Sequence, residues 1–314
     1  MLNIYEQVDR NKKRSFLIMA VFVVFITLVA YVLGRASGYS SSWIAIGLIF
    51  SGTMSFASYY WSDKIILGIS GAKEANKKEY FNFYTVTENL CLATGLPMPK
   101  LYVIDDTAPN AFATGRDPQH AVVCTTTGLL EKLNRTELEG VIGHELSHVK
   151  NFDTRLMSVV SILVGMVALL GDWFLRSTRW GVRGRPARFA LRSMAGGNRE
   201  RDEGNLGAIM FVLAIVMALL APIIAQLIQL AISRRREFLA DALSSMITKY
   251  PEGLISALRK ISADIEPLEA ANRATAHLYI VNPLKGDEFK GKIAGLFNTH
   301  PPVEERIAAL SGLK

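Results

Sequence analysis

Cysteine is nearly absent: Cys91 and Cys124 are the two in 314 residues. That excludes a disulfide-stapled secreted scaffold. Both thiols read as reduced core residues, Cys124 within an expected strand, which fits a reducing cytoplasm. Histidine is also scarce, with five in the chain, so any clustering of imidazoles carries weight. No basic stretch interleaved with aromatics is present, and no nucleic-acid partner is expected despite the net charge of +7. The chain shows no internal repeat. Acids are missing from the long apolar runs, where Asp172, near the end of one of them, stands alone. A transporter or channel component would place ionisable groups deep in its spans.

Against these absences stands an excess of apolar residues. Half the chain is hydrophobic, too much for an ordinary soluble protein of this size, and the surplus falls in separate runs. Phe16 to Leu33 is long enough to cross a bilayer and too long for the core of a usual signal peptide, so it reads as a retained anchor. A second run, Trp43 to Trp61, follows a short turn and carries Trp43 at one end and Tyr59, Tyr60 and Trp61 at the other, as an interfacial aromatic belt would. Lys12, Lys13 and Arg14 precede the first run, and Lys64, Lys73, Lys77 and Lys78 follow the second. This charge bias puts both ends of the hairpin, residues 1–62, in the cytoplasm, and the basic flanks suit contact with a phospholipid bilayer.

Residues 63–155 read as the first half of a soluble domain. A helix is expected around 74–94 and a strand over Lys100 to Ile104. Asn110 to Thr114 and Ala121 to Thr126 flank a loop rich in turn formers, the pattern of a β-hairpin. The fold class expected is mainly α with a small β-sheet (α+β), carrying transmembrane helices. A helix then follows, with Thr136 as its expected N-cap and Glu139 closing a capping box.

On that helix lies His144-Glu145-Leu146-Ser147-His148. Histidines four apart project from one helix face, so both imidazoles can reach one zinc ion. Glu145, next to the first of them, is placed to act as general base on a water. A catalytic zinc needs a third protein ligand and an open position. No further histidine occurs before His277, so a carboxylate is the better candidate. Glu237 and Asp241 share a helix face within Arg236-Glu237-Phe238-Leu239-Ala240-Asp241. One can ligate metal while the other accepts the spare ring N–H of a ligating histidine and fixes its tautomer.

Residues 156–233 contain two more apolar runs, Met157 to Leu175 and Leu206 to Ile232, around an arginine-rich stretch. If His148 and Glu237 meet at one metal, these runs form a second hairpin that returns to its starting side. A complete crossing would leave the arginines outside, against the charge bias. The sequence admits both that and a hairpin that enters without crossing. Residues 234–314 read as the second, mostly helical half of the soluble domain, in which Thr299-His300-Pro301-Pro302 precedes a short helix holding Arg306.

Four pieces of the chain resemble the HtpX family of membrane-bound zinc metallopeptidases, more distantly related to the CAAX prenyl endopeptidases. They are Asn110 to Gly115, His144 to His148, Arg236 to Asp241, and Thr299 to Pro302 with Glu304, Glu305 and Arg306. Their order and the two N-terminal spans match as well. The resemblance implies a gluzincin-type domain holding one Zn2+ per chain on His144, His148 and Glu237, with Glu145 as catalytic base. It implies that Asn110, Ala111 and Phe112 form an edge strand that binds substrate backbone, and that His300 and Arg306 lie near the developing oxyanion. The expected activity is endoproteolysis of membrane-protein or unfolded polypeptide substrates, damaged or misfolded ones among them, in membrane-protein quality control under stress. The expected location is the plasma (inner) membrane of a prokaryote, multi-pass, with the peptidase domain facing the cytoplasm. The competing class is a non-catalytic membrane scaffold or transporter component with a structural or accidental metal motif. A structural site would close its shell with a fourth ligand, which neither motif supplies nearby.

Overall fold

The computed structural model describes residues 4–36, 40–181, 234–271, 275–283 and 301–312. The apolar run over 206–232, most of the arginine-rich stretch and His300 lie outside the described residues.

Helix α1 (Ile4–Ala36) runs without a break from the polar N-terminal segment through the first apolar run. It pairs with α2 (Ser40–Tyr60), which covers the second. The two helices approach closely: a Cβ on Gly47 would lie 2.6 Å from the Ala30 methyl. Small residues at such a crossing let helix backbones pack in a membrane. Among the described residues, Val8–Val32 of α1 is the one stretch long and apolar enough to cross a bilayer. Helix α2 mixes Ser, Gly and Thr into its apolar sequence; Ser51 Oγ donates to its own helix at the Gly47 carbonyl, 2.6 Å away.

A short helix α3 (Ser62–Ile69) leads to strand β1 (Lys73–Glu74), and α4 spans Phe81–Thr94. The helix expected from residue 74 therefore starts later. Residues 73–74 pair with a strand, and the Asn76 carbonyl accepts from the amides of Glu79 and Tyr80 in a turn. Strands β2 (Lys100–Ile104), β3 (Ala111–Thr114) and β4 (Val122–Thr126) complete a four-stranded sheet ordered β1-β2-β4-β3. Strand β2 is parallel to β4, while β3 and β4 form the expected hairpin. Leu101, Val103, Ala111, Ala113 and Val123 face one core; Ile104, Phe112, Val122 and Cys124 face another. This period-two alternation, apolar on both faces, is the signature of a sheet covered on both sides.

The first face is covered by α4, α6 (Arg135–Lys150) and α9 (Pro251–Ala263), the second by α3, α7 (Asp153–Gly181) and residues 278–279. A one-turn helix, α5 (Thr127–Lys132), connects β4 to α6. Helices α8 (Arg234–Thr248) and α10 (Val303–Ser311) close the domain. Ile18 and Phe22 of α1 pack with Leu156, Val160 and Leu163 of α7, so the N-terminal helix joins the third apolar run through a buried contact.

The cap of α6 differs from expectation. Asn134 is the N-cap and Glu137 completes the box, two residues upstream of the Thr136–Glu139 pair. Both pairs have the required spacing, but Asn caps more strongly than Thr. Glu137 is also held from α9, by Lys260 Nζ at 2.7 Å and Ser256 Oγ at 2.6 Å.

Candidate metal centre

Helices α6 and α8 cross with little between them, since a Cβ on Gly143 would lie 2.8 Å from Ser244 Oγ and the same hydroxyl donates to the Gly140 carbonyl at 2.6 Å. The crossing brings the motif of α6 against the first turns of α8. His144 and His148 turn their Nε2 atoms toward one point, 3.1 Å apart. The Glu237 carboxylate closes the triangle, with Oε2 3.7 Å from His144 Nε2 and Oε1 3.5 Å from His148 Nε2. All three residues are buried, and their donor atoms lie within 4.8 Å of one another.

These separations fit a metal ion. Donors about 2.0–2.2 Å from a tetrahedral centre stand about 3.3–3.6 Å from each other. The tautomers agree. His144 Nδ1 meets Asp241 Oδ1 at 2.8 Å, and His148 Nδ1 meets Asp153 Oδ2 at 3.1 Å. An ionised carboxylate only accepts, so each ring donates its Nδ1–H and leaves an Nε2 lone pair facing the centre. Two lone pairs 3.1 Å apart repel unless a cation lies between them.

Charge at the centre has the same sense. Burial lowers the pKa of His144 to about 4, despite its bond to Asp241. Burial opposes a charge on His148 too, but Glu237, Asp153 and Glu145 outweigh it and push its pKa up to about 9. These carboxylates favour a cation beside His148, a proton in the metal-free protein that a bound metal ion would displace from Nε2. Burial first, then the charge of Glu237, raises Glu145 to about 7, where a carboxylate can both accept and return a proton near neutrality. Glu145 is 2% exposed, and the nearby Ala113 backbone partly offsets the rise.

Asp241, expected to orient a ligating histidine, meets His144 Nδ1 with its Oδ1 at 2.8 Å. Arg306 clamps it in a bidentate pair, Nε to Oδ2 at 2.8 Å and Nη2 to Oδ1 at 2.6 Å. Burial would raise the Asp241 pKa, but Arg306 and His144 outweigh it and hold it at about 2. Arg306 itself is wholly buried, with Nη1 on the Ile280 carbonyl at 2.8 Å. It therefore sits beside the His144–Asp241 pair, with Nη2 3.4 Å from His144 Nδ1. His277 is held against α7 by Ser161 Oγ at 3.0 Å.

Strand β3 is the sheet edge, as expected for Ala111 and Phe112. Asn110 accepts at its carbonyl from Thr126 N–H, so the next alternate residues, Ala111 and Ala113, turn their backbone groups away from β4. The Ala111 carbonyl is taken by the Ile280 amide at 2.9 Å, and Asn110 Nδ2 donates to the Val281 carbonyl at 3.0 Å. Residues 280–281 thus cover the start of this edge, and Ala113 is the next position along it.

Sequence reasoning missed Asp153, Asn11 and Arg236. Asp153 Oδ1 accepts from Asn11 Nδ2 at 2.7 Å and lies 3.5 Å from Arg236 Nε. The available signal was an acid at the start of the helix after the motif, but no fixed spacing ties such a residue to His148.

A family model for peptidase family M48 matches residues 82–314. The "Protease HtpX homolog" of Dictyoglomus thermophilum is 43% identical over 306 residues, covering 98% of this chain and 93% of its own. The protein of the same description from Caldanaerobacter subterraneus subsp. tengcongensis is 41% identical over 315 residues, covering 99% and 98%. Among solved structures, S. mikatae Ste24p is similar at a TM-score of 0.44 and 17% identity, over 97% of this chain and 66% of that one. With an H-E-x-x-H helix and a distant glutamate converging on one centre, and relatives matched along nearly its whole length, the chain belongs to peptidase family M48, among its HtpX-type zinc metallopeptidases.

Proposed function

We propose that this peptidase is an endopeptidase anchored in a prokaryotic plasma membrane, working at the cytoplasmic face on membrane-protein or unfolded polypeptide substrates, damaged or misfolded ones among them. The observation that carries the chemistry is the convergence of His144, His148 and Glu237 around one point with Glu145 buried beside it. The relatives described as protease HtpX homologs support the substrate class. The candidate span in α1 and the basic residues flanking the N-terminal hairpin support the location.

One Zn2+ per chain fits the donor set of two imidazoles and one carboxylate; bound there, it supplies a Lewis acid for the scissile carbonyl and lowers the pKa of a water toward 7. The chain's own residues do the rest. Asp241 and Asp153 hold the two rings in the tautomer that presents Nε2. Glu145 takes a proton from the attacking water onto its carboxylate and passes it to the leaving amine nitrogen as the peptide C–N bond breaks. An extended substrate adds to the sheet beside β3, using the edge that Ala113 leaves beyond residues 280–281. Asn110, Ala111 and Phe112 fix that edge in place. Arg306 acts through Asp241 on His144. His300, outside the described residues, keeps the role of oxyanion donor that the family resemblance implies.

Glu145→Gln tests the reading. Metal content should stay at one zinc per chain, while cleavage of an unfolded protein such as casein should fall by about 10²–10⁴. Retained proteolysis would remove Glu145 as base, and Glu237→Ala with unchanged zinc loading would remove the third ligand.

A further inference from the structure

The helix expected to anchor the chain also reaches the metal centre. Asn11, Ser15, Ile18 and Phe22 of α1 are all buried and recur at four, three and four residues, a single helical stripe. Ile18 and Phe22 meet apolar side chains of α7. Asn11, about two turns before Ile18 on that stripe, meets the polar residues beneath the ligand histidines. It is 1% exposed, and a buried amide is costly unless its donors and acceptor are matched.

Each is matched by a group close to a metal ligand. Asn11 Nδ2 donates to the Asn151 carbonyl at the C-terminus of α6, three residues after His148, at 3.0 Å. The same nitrogen donates to Asp153 Oδ1 at 2.7 Å, and Asp153 Oδ2 receives His148 Nδ1. Asn11 Oδ1 accepts from Nη1 of Arg236, the residue before Glu237, at 3.2 Å. One side chain thus ties the end of α6, the start of α7 and the start of α8. The chemistry suits an amide: Asp153 needs a donor and Arg236 needs an acceptor, and a carboxamide offers both in one plane. The residue lies outside the stretch 82–314 that the family model matches.

We propose that Asn11 is a positioning residue of the metal centre, holding Asp153, and through it the ring of His148, in the orientation that binds the ion. The inference rests on His144, His148 and Glu237 being the ligands. It makes the N-terminal helix a working part of the peptidase in addition to an anchor.

The test uses full-length protein in detergent. Zinc affinity is measured by competition with a chromophoric chelator, and the ligand field by the visible absorption of the cobalt-substituted protein. Asn11→Leu keeps the branched shape, in a somewhat larger side chain, and removes every side-chain hydrogen bond. It should weaken zinc binding about 10-fold, the low end of the effect of losing a partner behind a ligand, and should shift the cobalt spectrum. Phe22→Ala loosens the same helix in its apolar contact. It should lower the melting temperature while leaving zinc affinity and the cobalt spectrum as in the wild type. Should the leucine variant not fold, Asn11→Ala is read in the same way. Wild-type zinc affinity in the Asn11 variant overturns the proposal. So does an equal loss of affinity in Phe22→Ala, because helix packing alone would then explain the effect. Wild-type protein that takes up no stoichiometric zinc would overturn the ligand assignment beneath it instead.

Discussion

Arg306 shows how a residue's position bears on the role a motif implies for it. Its charge is held by both Asp241 oxygens and its Nη1 by the Ile280 carbonyl. The Nη2 contact to His144 Nδ1 is long, 3.4 Å against 2.8 Å for Asp241, so the aspartate is the partner of the ring. Breaking a buried ion pair by removing one member costs about 3–5 kcal/mol, because the other charge stays buried. Arg306→Met should therefore lower the melting temperature and the zinc content together, as Asp241 loses the clamp that aims it at His144. A variant with full zinc content, unchanged melting temperature and a fall in kcat alone would return Arg306 to the oxyanion. The same geometry explains what was legible at this scale. His144, Glu145 and His148 sit at fixed helical spacing, and Glu237 and Asp241 repeat it, so sequence alone exposes them. Asp153 lies past the end of α6, after a turn in which Phe152 adopts φ 57°. Its link to His148 is set by that turn, and no periodicity announces it.

Among the elements, α6 matters most, because it carries two ligands and the base. It is fixed at its N-terminus by Asn134 and Glu137, and along its length by close contact with α9, where a Cβ on Gly140 would lie 2.6 Å from the Leu254 amide. Sequence placed the helix but put its cap two residues late, since local spacing alone does not separate two overlapping boxes. The grip of α9 on Glu137 comes from residues more than a hundred positions away. Burial opposes the Glu137 charge, but Lys260, Ser256 and the Asn134 amide outweigh it and lower its pKa. A carboxylate whose folded pKa is depressed stabilises the fold above its unfolded value, about 4.3, and that contribution disappears as pH falls through the folded pKa. In metal-free protein, Glu137→Gln should cost roughly 1–2 kcal/mol at pH 7, tempered by the solvent exposure of Lys260. The gap in melting temperature between wild type and variant should close as the pH is taken well below 4.3. A gap that stays constant down to that range would show that the carboxylate charge contributes nothing. Strand β1 was missed for a simpler reason: two exposed residues carry no alternation to read.

For the molecule as a whole, sequence gave the order of apolar and polar segments but not how they interlock. The N-terminal hairpin, expected as a separate unit over 1–62, packs into the rest through α7 and through Asn11. That contact ties the orientation of the peptidase to the orientation of α1. Lys12, Lys13 and Arg14 lie beside Asn11, before the apolar run, and basic flanks stay on the cytoplasmic side. The metal centre, bonded to Asn11 through Asp153, lies with these basic residues, so the proposed cytoplasmic placement applies to both or to neither. The native thiols permit a clean test. Cys91 and Cys124 are buried, and burial raises both pKa values, that of Cys91 to about 11. Thiols held neutral and enclosed react slowly with maleimides, because the thiolate is the nucleophile. Met246 on α8 is 71% exposed, so Met246→Cys introduces one reactive site on the peptidase domain. A membrane-impermeant maleimide should label it in inverted membrane vesicles and leave it unlabelled in right-side-out vesicles until detergent is added. Labelling in intact right-side-out vesicles would place α8 outside. Because α8 carries Glu237 and Arg236, the whole metal centre would move with it, and the charge bias of the N-terminal helix would no longer predict where this peptidase works.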